Sequence, residues 1–231
     1  MPTRFVCLAN SFKEGGRCLA GIELDQQNKP VMMNGRPKWI RPICNTPHCE
    51  VPTHLVAHLR MLDIIEIEVT GNPNTDYQCE NALFRESSIR RIGKFEKENL
   101  KVLCENPFTI FNNRGNAVSR DAIKSLNHSL LLIHTDHFAI AERTYEDTKK
   151  KQTRLVFTHR GNQYNFPITD PVFLRFYQAD PEFMEGINQL FLCLSLGVAW
   201  QDWYYKLVAG IIIDNIPAAQ KNTQPIDDLP F

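Results

Sequence analysis

The chain has 231 residues, with 26 Lys and Arg against 26 Asp and Glu, 43% hydrophobic and 23% charged. That length admits one large β domain or two of ordinary size, and the composition is that of a globular chain rather than a disordered one. Balanced charge excludes a global field drawing the chain onto nucleic acid or an anionic membrane, so any polyanion site must be local.

From the start, Met1-Pro2-Thr3-Arg4 leads into only about five apolar residues, short of the ~7–15 of a signal peptide. Short segments rich in β-branched and aromatic residues predict strands at 4–9, 17–24, 38–44 and 62–69, each bounded by Gly, Pro or Asn. A further strand is expected at 77–84. Ile89, Ile92, Phe95, Leu100 and Leu103 fall near helical spacing, which predicts a helix over 88–104. Asn112-Asn113-Arg114-Gly115-Asn116 breaks the apolar pattern and marks the expected domain boundary, with one domain over 1–112 and the second over 117–231. A short helix over 119–126 begins at Ser119 as cap. A meander follows at 129–144, 153–159 and 163–168, with Lys149-Lys150-Lys151 in its first connection and Arg160-Gly161-Asn162 as a tight turn. Asp170-Pro171-Val172 opens a helix running towards Tyr177. The longest late apolar run, Leu207–Ile213, is far below the ~20 residues of a membrane span, and the tail from Pro217 is expected to pack loosely. No export and no membrane insertion are expected. Seven scattered cysteines, an odd number, point to a reducing, cytoplasmic setting.

Two hairpins stand out: Cys7 to Ser11 with Gly16 to Ile22, and Cys193 to Gly197 with Lys206 to Ile211. In each, a basic residue opens the second strand, and that strand is interrupted by Ala-Gly. A glycine inside a strand marks a bulge, a barrel corner or close approach of another backbone. About five short strands with a helix in each half fit a small closed Greek-key barrel, of which the OB fold is the commonest. The expected class is mainly β with short helices, two OB-like barrels in tandem.

The order Cys7-Leu8-Ala9-Asn10-Ser11, Gly16-Arg17-Cys18-Leu19-Ala20-Gly21, Trp39-Ile40-Arg41-Pro42, Leu62-Asp63-Ile64-Ile65-Glu66, Leu192 to Gly197 and Tyr205 to Gly210 resembles the dual OB-containing domain family. This bacterial family is associated with predicted genetic-conflict systems. The resemblance spans about the whole chain. It implies two barrels and a role in binding nucleic acid or a nucleotide, and it carries over no catalytic residues.

Lys38-Trp39-Ile40-Arg41 alternates cations with large apolar residues, a composition that OB surfaces use to stack bases and hold phosphate. The alternative reading is a core Trp with Arg41 capping the barrel through a structural carboxylate such as Asp63 or Glu66. Gly15-Gly16-Arg17 could offer one cation to a phosphate, although it lacks the context of a nucleotide fingerprint. Trp200-Gln201-Asp202-Trp203-Tyr204-Tyr205-Lys206, read as a loop, is a candidate stacking platform, a partner hot spot, or a lid over the barrel. Cys44, His48, Cys49, His54 and His58 crowd together without the spacing of a zinc site, so no metal or other cofactor is expected. The leading expectation is a non-catalytic module for single-stranded nucleic acid or a nucleotide, using Arg17, Lys38, Trp39, Arg41, Trp203, Tyr205 and Lys206. An adaptor that docks a protein partner on residues 200–206 is the alternative. A third reading, an enzyme acting on nucleic acid or nucleotides, would need convergent carboxylates or a metal.

Overall fold

A computed structural model describes residues 2–73 and 77–214; the tail expected from Pro217 lies outside them. The described residues form two compact units. One holds the chain through Glu105 together with Asn127–Ser129, and the other holds Asn106–Leu126 and the chain from Leu130.

In the first unit, β1 (Thr3–Lys13) turns through Glu14 and Gly15, both at positive φ, into β2 (Gly16–Leu24). A small hairpin of β3 (Met32–Met33) and β4 (Arg36–Pro37) precedes β5 (Trp39–Ile43). Then come α1 (Thr53–Val56), β6 (Asp63–Ile67), β7 (Val69–Gly71), β8 (Asn81–Phe84) and β9 (Arg90–Lys94). β1 pairs with β2 and β6, β2 with β5, β5 in parallel with β8, and β8 with β7, which continues β6 after Glu68. Counting β6 and β7 as one bent strand, the circuit runs 1-2-3-5-4-1 and closes, with a helix between the third and fourth strands. That is an OB barrel. Phe5, Leu19, Ile40, Ile65 and Ile67 fill it, and Val56 and Leu59 join the same core. Asn10 Nδ2 donates to the carbonyls of Val56 (2.8 Å) and Leu59 (3.3 Å), tying the helical turn to the barrel wall.

The expected helix over 88–104 does not form. Asp63 and Glu66 are buried carboxylates, and they draw Arg91 Nε (2.6 Å) and Arg90 across from β9, which pairs antiparallel with β6. Two buried charges satisfied across a ladder outweigh a weak helical periodicity that has Gly93 in its middle. Only Lys97–Leu103 is helical, as 3-10 turns that bury Leu100 and Leu103.

The second unit runs β10 (Ala117–Ser119), α2 (Arg120–Ile123), β11 (Leu130–Thr135), β12 (Phe138–Thr144), β13 (Lys151–His159), β14 (Asn162–Pro167), α3 (Pro171–Ala179), β15 (Leu190–Trp200) and β16 (Trp203–Ile213). The strand expected over 129–144 breaks at Asp136–His137, so that β11 pairs with β15 while β12 pairs with β13. β13 pairs with β14 across the Arg160-Gly161 turn, β14 leads into a parallel bridge from Ile168 to Val208 on β16, and β16 pairs with β15. The circuit is again 1-2-3-5-4-1 with a helix between strands three and four. Ser119 Oγ caps α2 by accepting from Ala122 N (3.3 Å), and Asp170 Oδ1 caps α3 by accepting from Val172 N and Phe173 N. Asp170 Oδ2 also accepts from Ile211 N, which fastens the helix to the barrel.

Residues 106–126 belong to this unit because their backbone is held there: Ile110 N donates to Tyr164 Oη (3.1 Å) and His159 Nε2 meets the Pro107 carbonyl (2.9 Å). The division therefore falls after Glu105, ahead of the Asn112–Asn116 break. Both hairpins singled out in the sequence are present, and each pairs a cysteine with a glycine beside a bulge, Cys7 with Gly21 and Cys193 with Gly210. They are not equivalent, however. The first joins strands one and two of its barrel, the second strands four and five. Among the described residues no helix is long and apolar enough to cross a membrane.

Candidate nucleic-acid interface

The seven residues expected at the site fall into two groups, one in each unit. In the first, Trp39 is nearly buried, and its indole N–H donates to Glu105 Oε1 (3.0 Å). Lys38 is part-exposed with its ammonium 2.8 Å from Glu23 Oε2. Arg41, expected at a phosphate, is interior instead: Nη1 donates to Asn81 Oδ1 (3.3 Å) and lies 3.8 Å from Glu80 Oε2. Arg41 is thus interior as in the alternative reading, but its carboxylate is Glu80 and not Asp63 or Glu66, which are taken by Arg91 and by Arg90 and Arg4. Arg17 stands at the end of the β1–β2 hairpin, its guanidinium 4.7 Å from the centre of the exposed Phe12 ring.

Lys38 and Trp39 line a cleft of about 350 Å³ together with Arg36 and Glu80; Arg17 is not part of it. Arg36 Nη2 meets Glu105 Oε2 at 2.5 Å, so Glu105 is shared between a guanidinium and an indole. Burial pushes the Glu105 carboxyl above its usual range, against the pull of Arg36 and Trp39. His128, also in the cleft, is lowered to about 4 by burial first and by Arg36 second, which keeps its ring neutral at physiological pH. Burial and the Glu86 carboxylate push the Cys44 thiol up to about 12, and among the described residues no three His, Cys, Asp or Glu side chains converge as a metal site.

In the second unit the aromatic segment is not a loop. Trp200 ends β15, only Gln201 and Asp202 turn, both at positive φ, and Trp203 begins β16 opposite Trp200. Alternation then decides the faces. Trp203 and Tyr205 point outwards, 47% and 40% exposed, with Trp200 at 61% and its ring 6.2 Å from that of Tyr205. Val198 is exposed as well. Lys206, on the other parity, is fully buried. Its ammonium donates to the carbonyls of Ile110 (2.7 Å) and Asn113 (2.9 Å) and to Asn113 Oδ1 (2.9 Å), beneath the Tyr164 and Phe166 rings. Burial draws its pKa down to about 7 while those oxygens and ring faces favour the charged form. Lys206 holds the fold together and is not available to a phosphate.

OB folds bind oligonucleotides on strands two and three and on the loops joining strands one to two and four to five. In the second barrel, strands two and three are β13 and β14. The loop between strands four and five is the aromatic turn, and the loop between strands one and two is Tyr145–Lys150, where Lys149 and Lys150 are exposed, as is Lys151 at the start of β13. Tyr145 carries the Arg143 guanidinium over its ring at 4.8 Å and donates from Oη to Gln152 Oε1 (3.0 Å). On the outer face of β13 and β14, Arg154 donates from Nε to Asn165 Oδ1 (2.7 Å) and from Nη1 to Gln152 Oε1 (2.5 Å). Tyr145, Gln152, Arg154 and Asn165 form one polar network. The spacing of the triple lysine marks a loop in the sequence, but only the closed circuit of strands identifies it as the first loop of a barrel.

A search of the curated proteins finds no match. Among solved structures, a chain from a structure of a replication protein A heterotrimer bound to ssDNA matches at 9% identity and a TM-score of 0.40, over 95% of this chain and 50% of that one. The chain therefore spans about half the length of the chain it matches. The family model described as the dual OB-containing domain matches residues 3–211. With two closed OB circuits in that stretch, the chain belongs to the dual OB-containing domain family.

Proposed function

We propose that the second barrel binds single-stranded nucleic acid, stacking bases on Trp200, Trp203 and Tyr205 and meeting phosphates with Lys149, Lys150 and Lys151. The observation that carries this reading is the exposure of three large aromatic side chains on one face of the hairpin between strands four and five. Aromatics bury 150–250 Å² each when a fold uses them for its core. Leaving three together in water forgoes that burial, and a contiguous exposed apolar patch marks an interaction surface. Each stacked base is worth ~1–3 kcal/mol and is sequence-tolerant. The lysines of the loop between strands one and two supply the charge that the hairpin tip lacks, since Arg120 beside it is paired with Asp202 (3.0 Å).

The test is fluorescence anisotropy with a labelled oligothymidylate of about 15 nucleotides and its RNA counterpart at low salt. The expected result is saturable binding, weakened roughly ten-fold by Trp203→Ala and further by adding Trp200→Ala, with unchanged melting. Absence of binding to either strand would overturn the reading. So would binding that ignores both substitutions. Exposed Val198 adds an aliphatic contact that bases do not need, which favours the adaptor reading. In that case Trp203→Ala abolishes capture of a protein partner while no oligonucleotide binds at all.

A further inference from the structure

The first barrel contains a cleft that the strand-binding face does not use. Its volume, about 350 Å³, lies at the lower end of the ~300–1,000 Å³ of small-molecule sites. Trp39 and Val69 give it an apolar wall, with Ile40 and Ala82 behind them in the barrel core, and Asn34, Asn72 and Asn127 are among its polar lining residues. The charges around it are balanced pair by pair: Lys38 with Glu23, Arg36 with Glu105, Arg41 with Glu80. Glu80 is fixed further by the backbone N–H (2.6 Å) and Oγ (2.8 Å) of Ser129, so its oxygens are committed before any ligand arrives.

This arrangement selects against a bare anion, because each cation would have to give up a carboxylate to meet one. It suits a flat, uncharged ring with donors and acceptors along its edge. A side-chain amide presents one donor and one acceptor side by side, the pattern that asparagine uses against adenine. The apolar wall takes the ring, and His128, neutral at physiological pH, adds no charge to it. We propose that the first barrel is a nucleobase site, admitting one base as a nucleoside between the Trp39 wall and the Asn34 and Asn72 amides. The proposal stands apart from strand binding by the second barrel.

The experiment is calorimetric titration of the full chain with adenosine, guanosine, cytidine and uridine and with their 5′-monophosphates, alongside the Trp39 indole N–H resonance. At least one nucleoside is expected to saturate and shift that resonance, with its monophosphate binding no tighter. Asn34→Gly, which suits the positive φ of that turn, and Asn72→Ala, at an exposed position, are each expected to weaken binding five-fold or more. Trp203→Ala is expected to leave it unchanged. Failure of every nucleoside to saturate at millimolar concentration overturns the proposal. A monophosphate binding ten-fold tighter than its nucleoside also overturns it, as do asparagine variants without effect. In the Trp200→Ala, Trp203→Ala chain, a mixed-sequence oligonucleotide that displaces the nucleoside assigns the base to a strand. One that does not displace it assigns the site to free nucleosides.

Discussion

Lys206 carries a charge into the interior of the second barrel, and its worth depends on what its ammonium meets. Three oxygens from residues 110 and 113 take its hydrogens, in a stretch where Phe111 and Asn112 both hold positive φ. Desolvating an ammonium is expensive, which on its own would favour an apolar substitute. The substitute, however, leaves the Ile110 carbonyl without its donor in the interior, and each orphaned acceptor costs ~1–3 kcal/mol. The Asn113 oxygens are only part-buried and recover water. The orphaned carbonyl and the loosened backbone therefore decide the sign. Lys206→Met is expected to lower unfolding stability by about 2 kcal/mol. Urea denaturation measures it, and an unchanged midpoint would mean that the clamp contributes nothing net.

At the scale of elements, the two cysteine–glycine pairs explain why the hairpins were legible in the sequence. Gly21 sits where a Cβ would lie 1.9 Å from the Val6 carbonyl oxygen and 2.7 Å from the Phe5 ring, so the backbone of β1 occupies the place of its side chain. Gly21→Ala must therefore push β1 off β2 next to the bulge, at an expected cost of about 3 kcal/mol or more, read from thermal or chemical unfolding. Gly15→Ala is the useful contrast, because nothing lies near its missing Cβ and only its positive φ resists. The strands, the caps at Ser119 and Asp170 and the turn at Arg160-Gly161 follow from local chemistry, and each is visible without coordinates. The closure of the barrels is not, since it rests on pairings such as β5 with β8 that join residues far apart in sequence. The same limit explains the misread helix, which lost to carboxylates some twenty-five residues upstream. Within the candidate site, Trp203 and Tyr205 were legible as aromatics. Lys206 opens a strand in the sequence and ends the aromatic segment, and nothing local says which face it takes; the pairing of β16 with β15 turns it inward. The cleft of the first barrel is invisible for a related reason: its lining comes from six separate stretches of the chain.

For the whole molecule, equal numbers of acidic and basic residues mean that no long-range field concentrates nucleic acid around it. Affinity for a strand has to come from contact, and the two kinds of contact respond to salt differently. A lysine that neutralises a phosphate releases counterions, with a slope in log K against log salt of about −0.7 per contact for single strands. Stacking on Trp200, Trp203 and Tyr205 releases none. Three lysines in and beside the first loop of the second barrel thus predict a slope of about −2. Replacing Lys149 and Lys150 by alanine is expected to bring it to about −0.7, with only modest loss of affinity at high salt. Trp203→Ala is expected to do the reverse, weakening binding at every salt concentration while leaving the slope where it was. A slope much steeper than about −3 would place the phosphates on cations outside that loop. Equal changes in slope from the lysine and tryptophan variants would mean that charge and stacking are not borne by separate residues.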